Sequence, residues 1–114
     1  MFIRTLMAAL IIVLLSTPSM AQTMIASWYG PGFQGLKMAN GNRFNMYAPT
    51  VAHKTWPLGA RVCITSLVNG RKVHAYITDR GPYKPHRDID LSYALAQVLG
   101  IIPKGTGPVD VELC

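Results

Sequence analysis

The sequence predicts a β-rich domain with one helix. Gly, Pro and Asn recur so often beyond residue 21 that most elements must be short. The segments between them alternate apolar and polar residues, which is the period of a β-strand. One stretch near the end of the chain instead repeats its apolar residues at helical spacing. We therefore expect short strands joined by turns, followed by a single helix and a last strand.

Four strands are expected before the helix. The first is Met24 to Tyr29, which precedes a loop rich in Gly and Pro. A short strand follows at Thr50 to His53. A longer strand is expected from Ala60 to Leu67, and its partner from Lys72 to Thr78. The Asn69-Gly70 pair between these two suits a tight hairpin turn.

The helix is expected to begin at Asp90, whose side chain could accept the free backbone N–H groups of the first turn as an N-cap. From Leu91 onward the apolar residues lie on one helical stripe, and Gly100 is expected to end the helix. Val109 to Cys114 then alternates as a strand. No repeat or linker divides the chain, so we expect one domain.

Residues 1–21 are predicted to be a secretory signal peptide. Arg4 is followed by the apolar run Leu6 to Leu15 and then by small and polar residues. The run is shorter than the roughly 20 residues that a membrane-spanning helix needs. We expect cleavage after Ala21, a domain at 22–114, a periplasmic or secreted location and no stable membrane anchor. An uncleaved anchor and a buried helix are the alternatives.

Cys63 and Cys114 are the only cysteines, and we expect them to form a disulfide. An exported chain meets an oxidising compartment, where an even pair of cysteines favours this bond. Both fall on the polar side of their predicted strands, so the bond should lie outside the sheet. Closing a loop of about 50 residues would stabilise the fold by roughly 4 kcal/mol in the chain-entropy model. Two free thiols and a metal-binding pair are the alternatives. Neither cysteine has a nearby His or Cys at the spacing of a metal site in the sequence.

The composition is basic. Eleven Lys and Arg residues accompany five carboxylates, and without Arg4 the net charge is near +5. Such a surface favours anionic partners, in this compartment wall polymers or lipid head groups, or simply keeps the protein soluble. No module of aromatic and basic residues indicates nucleic acid. No metal-ligand cluster, phosphate loop or nucleophile triad is present in the sequence, so we expect no metal and no cofactor.

Acid–base chemistry would have to use one of the five carboxylates. Asp110 and Glu112 lie on the outward side of the last strand. Asp90 is assigned to the helix cap. Asp79 and Asp88 remain. Asp79 stands where a strand ends and a loop begins, a place where catalytic groups are often mounted, although a turn-capping role explains it equally well.

His53 and several aromatic residues are further candidates. A lone His is more often a structural hydrogen-bonding group than a base or ligand. Aromatic rings beside loops could stack on sugar faces or pack in the core. Those rings belong to Trp28, Tyr29, Phe33, Trp56 and Tyr83.

Six short motifs occur in order along the chain. They are Ala26-Ser27-Trp28-Tyr29-Gly30, Ala39-Asn40-Gly41, Ala52-His53-Lys54-Thr55, Pro57-Leu58-Gly59, Asp79-Arg80-Gly81-Pro82-Tyr83 and Ile89-Asp90-Leu91-Ser92. The set resembles the RlpA (rare lipoprotein A) family and spans nearly all of residues 22–114. The resemblance implies a six-stranded double-psi β-barrel with one short α-helix. It also implies a lytic transglycosylase that cleaves peptidoglycan glycan strands, preferring strands stripped of stem peptides.

The resemblance also implies roles for particular residues. Asp79 matches the catalytic Asp of the family, and His53 matches a His of its active groove. Substrate contacts are assigned to residues in or beside the motifs, namely Tyr29, Asn42, Lys54, Arg80 and Tyr83. We expect the partner to be peptidoglycan and the protein to be a monomer.

Asn42 departs from the family pattern, which has Glu directly after Asn-Gly. An amide cannot exchange a proton. A lytic transglycosylase protonates the glycosidic oxygen and then removes a proton from the C6 hydroxyl of the same sugar, so Asp79 alone could serve as acid and base. We therefore expect a wall-cleaving enzyme with reduced activity, or alternatively a wall-binding module without catalysis. A structural or partner-binding protein that uses the basic surface is a third hypothesis.

Overall fold

Residues 20–114 form a closed barrel in the computed structural model of this protein. The predicted signal peptide lies outside the described residues except for Met20 and Ala21, so it stays a prediction. Within residues 20–114, no helix is long and apolar enough to cross a membrane.

The barrel consists of six strands and carries one α-helix. The strands are β1 Gln22–Tyr29, β2 Thr50–His53, β3 Arg61–Ser66, β4 Lys72–Asp79, β5 Ile89–Ser92 and β6 Thr106–Leu113. The helix, α1, is Tyr93–Leu99, and a short 3₁₀ turn spans Pro31–Phe33. The expected β-rich fold with one helix is confirmed, as is the six-stranded barrel that the resemblance implied.

The strand order around the barrel is β1-β5-β2-β4-β3-β6. The pairs β1–β5 and β2–β4 are parallel, and the other neighbouring pairs are antiparallel. β2 and β5 therefore lie side by side between β4 and β1. These four strands form one continuous wall, and the candidate site lies on it.

Apolar side chains fill the interior of the barrel. Val62 and Ile64 on β3 are fully buried and alternate with more exposed residues, as predicted. Val51 on β2, Ile77 on β4 and Leu91 on β5 are also fully buried. Each such side chain stabilises the fold by roughly 1.5–3 kcal/mol relative to its exposed state.

A second apolar cluster lies under the long loop 30–49. Its buried members are Tyr29, Met38, Phe44 and Met46, with Tyr93 of α1 packed against them. The rings of Tyr29 and Phe44 stack with their centroids 4.2 Å apart. The backbone N–H of Asn40 also donates to the carbonyl oxygen of Thr78 at 3.2 Å. The loop is thus fixed beside the end of β4.

The prediction that Asp90 caps the helix was wrong. Asp90 lies within strand β5, and the helix begins at Tyr93. Ser92 is the N-cap, and its hydroxyl oxygen accepts a hydrogen bond from the Leu95 backbone N–H at 3.4 Å. Leu91 is buried inside the barrel because β5 pairs with both β1 and β2. Pairing on both edges overrides the helical spacing of the apolar residues.

The hairpin between β3 and β4 is confirmed, but its connection is longer than the tight turn predicted. Residues 67–71 separate the two strands. Gly70 has a φ of 78°, in the left-handed region that favours glycine, and its N–H donates to the carbonyl oxygen of Ser66 at 2.9 Å. The Asn-Gly signal therefore located the turn without fixing its length.

The predicted disulfide joins Cys63 and Cys114, whose Cα atoms are 5.7 Å apart. Cys63 is half-buried on β3, on the side opposite the buried Val62 and Ile64. Cys114 is exposed and follows the last residue of β6. The bond ties two neighbouring strands together on the outside of the barrel, as expected.

Candidate functional site

Four residues form a row across the wall of β4, β2, β5 and β1. Asp79 pairs with Ala52, Ala52 pairs with Asp90, and Asp90 pairs with Ser27. Residues in register on neighbouring strands present their side chains on the same face of a sheet. All four line one cavity of about 410 Å³, called here the Asp79 cavity. Two carboxyl groups therefore share one cavity, with the small Ala52 between them.

Loop residues complete the Asp79 cavity. Phe33 and Tyr83 line it and are 51% and 82% exposed, so their rings are accessible at its edge. Lys84 and Arg87 also line it and add positive charge. Exposed rings can stack on sugar faces, and the cations favour anionic groups. The cavity therefore combines carboxyl groups with exposed aromatic rings and positive charge.

Asp79 is fixed by two backbone donors. Its Oδ1 accepts hydrogen bonds from the N–H of Ala39 and the N–H of Arg80, each at 2.9 Å. The first donor belongs to the long loop 30–49 and the second to the loop that follows β4. Among residues 20–114, the other oxygen, Oδ2, has no hydrogen-bond partner. One carboxylate oxygen is thus held by the fold while the other is available to a ligand.

The guanidinium of Arg80 is turned away from Asp79. Its Nη1 donates to the carbonyl oxygens of His53 at 3.1 Å and Trp56 at 2.6 Å. Within the described part of the chain it forms no ion pair with the Asp79 carboxylate. Arg80 therefore ties the loop after β4 to the loop after β2 and leaves Asp79 without a cationic partner in direct contact.

Asp90 is the second carboxyl group of the Asp79 cavity. Its Oδ1 accepts a hydrogen bond from the Ser27 hydroxyl at 2.9 Å. Burial raises the pKa of the Asp90 carboxyl. The hydrogen bond from Ser27 and the charge of Arg87 oppose this rise in pKa, whereas the charge of Asp79 adds to it. The environment thus favours the protonated form of Asp90 relative to an ordinary Asp.

Tyr29 lies in the wall of the same cavity. Its hydroxyl oxygen is buried and has no hydrogen-bond partner among residues 20–114. Burial raises the pKa of the phenol, and the negative charges of Asp79 and Asp90 raise it further. Tyr29 therefore stays neutral.

His53 lies in a different cavity, of about 270 Å³, whose lining includes Lys54 and Asp88. Its Nδ1 accepts hydrogen bonds from the backbone N–H groups of Thr55 at 3.1 Å and Trp56 at 3.0 Å. Its ring stacks on that of Trp56 with the centroids 4.7 Å apart. Burial lowers the pKa of His53, which favours the neutral ring that can accept these bonds. The contacts of His53 organise the loop after β2.

The structure therefore brings together four of the seven predicted site residues. These are Tyr29, Asp79, Arg80 and Tyr83, which line the Asp79 cavity. His53 and Lys54 line the second cavity. Asn42 lines neither of the two cavities.

Asn42 is exposed on a turn that is attached to Asp79. The carbonyl oxygen of Asn42 accepts a hydrogen bond from the Met38 N–H at 2.7 Å, and its own N–H donates to the Asn40 side chain at 2.9 Å. Ala39, in the same turn, donates to Asp79. The backbone at Asn42 is therefore held near the cavity, whereas its side chain is not part of the lining.

Sequence reasoning missed Asp90 and Ser27 as site residues. Asp90 was excluded because it was assigned to a helix cap. The signal that could have found it is the alternation of Ile89 and Leu91 with Asp90 and Ser92, which has the period of a strand. The alternation covers only four residues next to a helix, which is too short to predict a strand.

One group of residues within 20–114 has metal-ligand geometry. Cys63, His74 and Cys114 place their potential ligand atoms within 4.8 Å of one another. The two sulfurs are joined as a disulfide, and a metal ligand must be a thiolate. The residues as they stand do not offer thiolate ligands.

The fold is shared with a solved structure, the Streptomyces papain inhibitor. The two chains superimpose with a TM-score of 0.65 and 21% sequence identity, over 86% of this chain and 98% of the inhibitor. At this identity the likeness concerns the fold alone. The chain is a double-psi β-barrel domain.

The family model described as lytic transglycolase matches residues 21–111, and the chain belongs to this family. It is 52% identical over 89 residues to the probable endolytic peptidoglycan transglycosylase RlpA of Synechocystis, covering 78% of this chain and 28% of that protein. It is 47% identical over 89 residues to the endolytic peptidoglycan transglycosylase RlpA of Campylobacter jejuni, covering 78% and 32%. The resemblance to the RlpA family is confirmed, and the chain spans about a third or less of these relatives' length.

Proposed function

We propose that this domain binds peptidoglycan glycan strands in the Asp79 cavity and cleaves them as a lytic transglycosylase. The observation that carries the proposal is the placement of Asp79, with Oδ1 held by two backbone N–H groups and Oδ2 available in an open cavity. Membership of the lytic transglycolase family supports the same reaction.

The reaction needs a carboxyl group that exchanges protons with the sugar. A glycan strand lying across the row of Asp79, Ala52 and Asp90 would place a glycosidic bond over Ala52, which has the smallest side chain of the three. Phe33 and Tyr83 would stack on neighbouring sugars. Fixing the carboxyl group and the sugar in one geometry lowers the entropic part of the barrier. Because the C6 hydroxyl of the sugar is the nucleophile, no water need be positioned.

The second candidate is a wall-binding module without catalysis. Asn42 supports it, since the resemblance implies Glu at this position and the amide cannot exchange a proton. The rings and cations of the Asp79 cavity would retain glycan in either case. The two candidates share a substrate and differ in whether bonds are broken.

Incubation of the purified protein with intact peptidoglycan and with strands stripped of peptides separates the candidates. Mass spectrometry of the soluble fraction should detect 1,6-anhydro-muropeptides, in larger amount from stripped strands. Co-sedimentation without products would favour the binding module. If the protein neither sediments with peptidoglycan nor releases products, both candidates are contradicted.

The location follows from the same proposal. Peptidoglycan lies outside the cytoplasm, so the domain should act in the periplasm or outside the cell as a monomer exported by residues 1–21. N-terminal sequencing of the exported protein should give Gln22 as the first residue. Size-exclusion chromatography with light scattering should give the mass of one chain.

A further inference from the structure

Asp90 is a carboxyl group in the Asp79 cavity that the proposed function leaves without a role. From the sequence, Asp90 was assigned to a helix cap and therefore was not placed on a strand. In the structure it stands in the same cross-strand row as Asp79, with only Ala52 between them. Neighbouring strands are about 4.8 Å apart, so the Cα atoms of the two Asp residues are roughly 10 Å apart.

The space between the two carboxyl groups suits one sugar linkage. The side chain of Ala52 is a single methyl group, so the row dips between the two acids. In glycosidases the two carboxyl groups that act on one glycosidic bond are about 5–9.5 Å apart, and the larger separations leave room for a nucleophile beside the sugar. Side chains rising from Cα atoms roughly 10 Å apart can reach that separation.

The two acids differ in what holds them. Asp79 Oδ1 is held by two backbone N–H groups, those of Ala39 and Arg80. Asp90 accepts one side-chain hydrogen bond, from Ser27, and burial works against its charged form. Two acids that share one cavity but are held by different groups can take different roles, one as acid and one as base.

We propose that Asp90 donates the proton to the glycosidic oxygen, while Asp79 accepts the proton of the C6 hydroxyl. The bond between the anomeric carbon and the glycosidic oxygen breaks, and the leaving oxygen keeps the electron pair and takes the Asp90 proton. The C6 oxygen bonds to the anomeric carbon and loses its proton to Asp79. Asp79 then releases one proton to solvent and Asp90 takes one up. The inference rests on the proposed function and divides between two residues the work first assigned to Asp79.

The charged groups around Asp90 set the expected pH dependence. Asp79 faces it from β4, Tyr29 and Ser27 from β1, and Arg87 and Lys84 from the loop before β5. A donor must be protonated, so the rate of cleavage should fall as the pH rises through the pKa of Asp90. The Ser27 hydrogen bond lowers that pKa. Ser27→Ala should therefore move this alkaline limb to higher pH.

The experiment measures anhydro-muropeptide release by the purified exported protein from pH 4 to pH 9 in matched variants. Asp90→Asn should reduce the rate by at least about 100-fold, the lower end for loss of proton-transfer catalysis. Asn keeps an oxygen for Ser27, so the melting temperature and peptidoglycan sedimentation should be retained. Asp110→Asn is the matched control, because Asp110 also accepts a hydroxyl hydrogen bond from β1, from Thr23 at 2.7 Å.

Each outcome has a defined meaning. An active wild type with an inactive Asp90→Asn, an active Asp110→Asn and a shifted alkaline limb in Ser27→Ala supports the inference. An Asp90→Asn variant that keeps more than a tenth of the wild-type rate overturns it and leaves the proposed function in place. If Asp90→Asn does not fold, the inference is overturned when the alkaline limb of the pH–rate profile is the same in Ser27→Ala as in the wild type. A wild type that releases no product overturns the proposed function and this inference together.

Discussion

Asp79 Oδ1 accepts a hydrogen bond from the backbone N–H of Ala39 at 2.9 Å, across 40 residues of chain. This bond attaches the turn that carries Asn42 to the carboxyl group at the end of β4. A second bond in the same region joins the Asn40 N–H to the Thr78 carbonyl oxygen at 3.2 Å. The loop and the strand end therefore form one unit, and changes at Asn42 are made close to Asp79.

Asp79→Asn should abolish anhydro-muropeptide release while sedimentation with peptidoglycan persists. Asn can still accept the hydrogen bonds from Ala39 and Arg80 through its oxygen, so the loop should keep its position. It cannot exchange a proton, and the loss should be at least about 100-fold. A variant that cleaves at the wild-type rate would move the chemistry to another residue, and Asp90, the other carboxyl group of the Asp79 cavity, would be tested next.

The disulfide should be complete in the exported protein. Alkylation under non-reducing, denaturing conditions should label no thiol, because Cys63 and Cys114 are bonded. Cys63→Ser should destabilise the fold by up to roughly 4 kcal/mol, since it reopens a loop of 51 residues. For a domain of this size, a loss of the full ~4 kcal/mol would lower the melting temperature by about 16–32 °C.

Peptidoglycan sedimentation by Cys63→Ser should be retained at temperatures where the variant is folded. Neither cysteine lines the Asp79 cavity. Two labelled thiols in the wild type would contradict the disulfide. If a folded Cys63→Ser variant no longer sedimented with peptidoglycan, the Asp79 cavity would depend on the disulfide, which would contradict this prediction.

Much of the fold could be predicted from local pattern. The Thr50–His53 strand was predicted with its observed bounds, and the hairpin and disulfide were found from Asn-Gly and the cysteine pair. β5 was missed because a four-residue strand has too few residues to show its period before a helix. Its identity depends on β1 and β2, which are distant in sequence.

The site was predicted in part for the same reason. Asp79 became a candidate because it ends a strand and starts a loop, and the resemblance then assigned it the catalytic role, which stays a prediction. Asp90 becomes a neighbour of Asp79 only through strand pairing, because the parallel β2–β4 pair and the antiparallel β2–β5 pair place Ala52 between the two residues. His53 was grouped with Asp79 through the resemblance, whereas the structure places it at the second cavity. That assignment of His53 stays a prediction.

His53 should make the fold sensitive to mild acid. Burial lowers the pKa of His53 below its usual 6.5, so the unfolded state binds a proton at a pH where the folded state does not. Stability from this residue is therefore complete above about pH 6.5 and is lost progressively as the pH falls toward the folded pKa.

The comparison of wild type with His53→Asn isolates this effect. Asn can accept the N–H groups of Thr55 and Trp56 without titrating. The melting temperature of the wild type should fall more between pH 7.5 and pH 5 than that of His53→Asn. Equal changes in both proteins would show that protonation of His53 does not oppose folding.

Asn42→Glu should raise anhydro-muropeptide release by at least about tenfold, a conservative part of the 10²- to 10⁴-fold that proton-transfer catalysis supplies. The backbone of Asn42 makes the hydrogen bonds of the turn, to Met38 and Asn40, so the substitution should leave the turn intact. The new carboxylate would stand on the turn that donates to Asp79, where it could orient the sugar or hold the charge state of the nearby acids.

The control for this effect is dependence on Asp79. The gain should vanish when Asp79→Asn is added, because Glu at position 42 would act together with the Asp79 carboxyl group and not replace it. Asn42→Gln matches the Glu side chain in length without its proton chemistry and should leave the rate unchanged. If Asn42→Glu binds peptidoglycan and changes nothing, robust wild-type cleavage would show that the carboxyl groups of the Asp79 cavity suffice. No cleavage by either protein would favour the binding module.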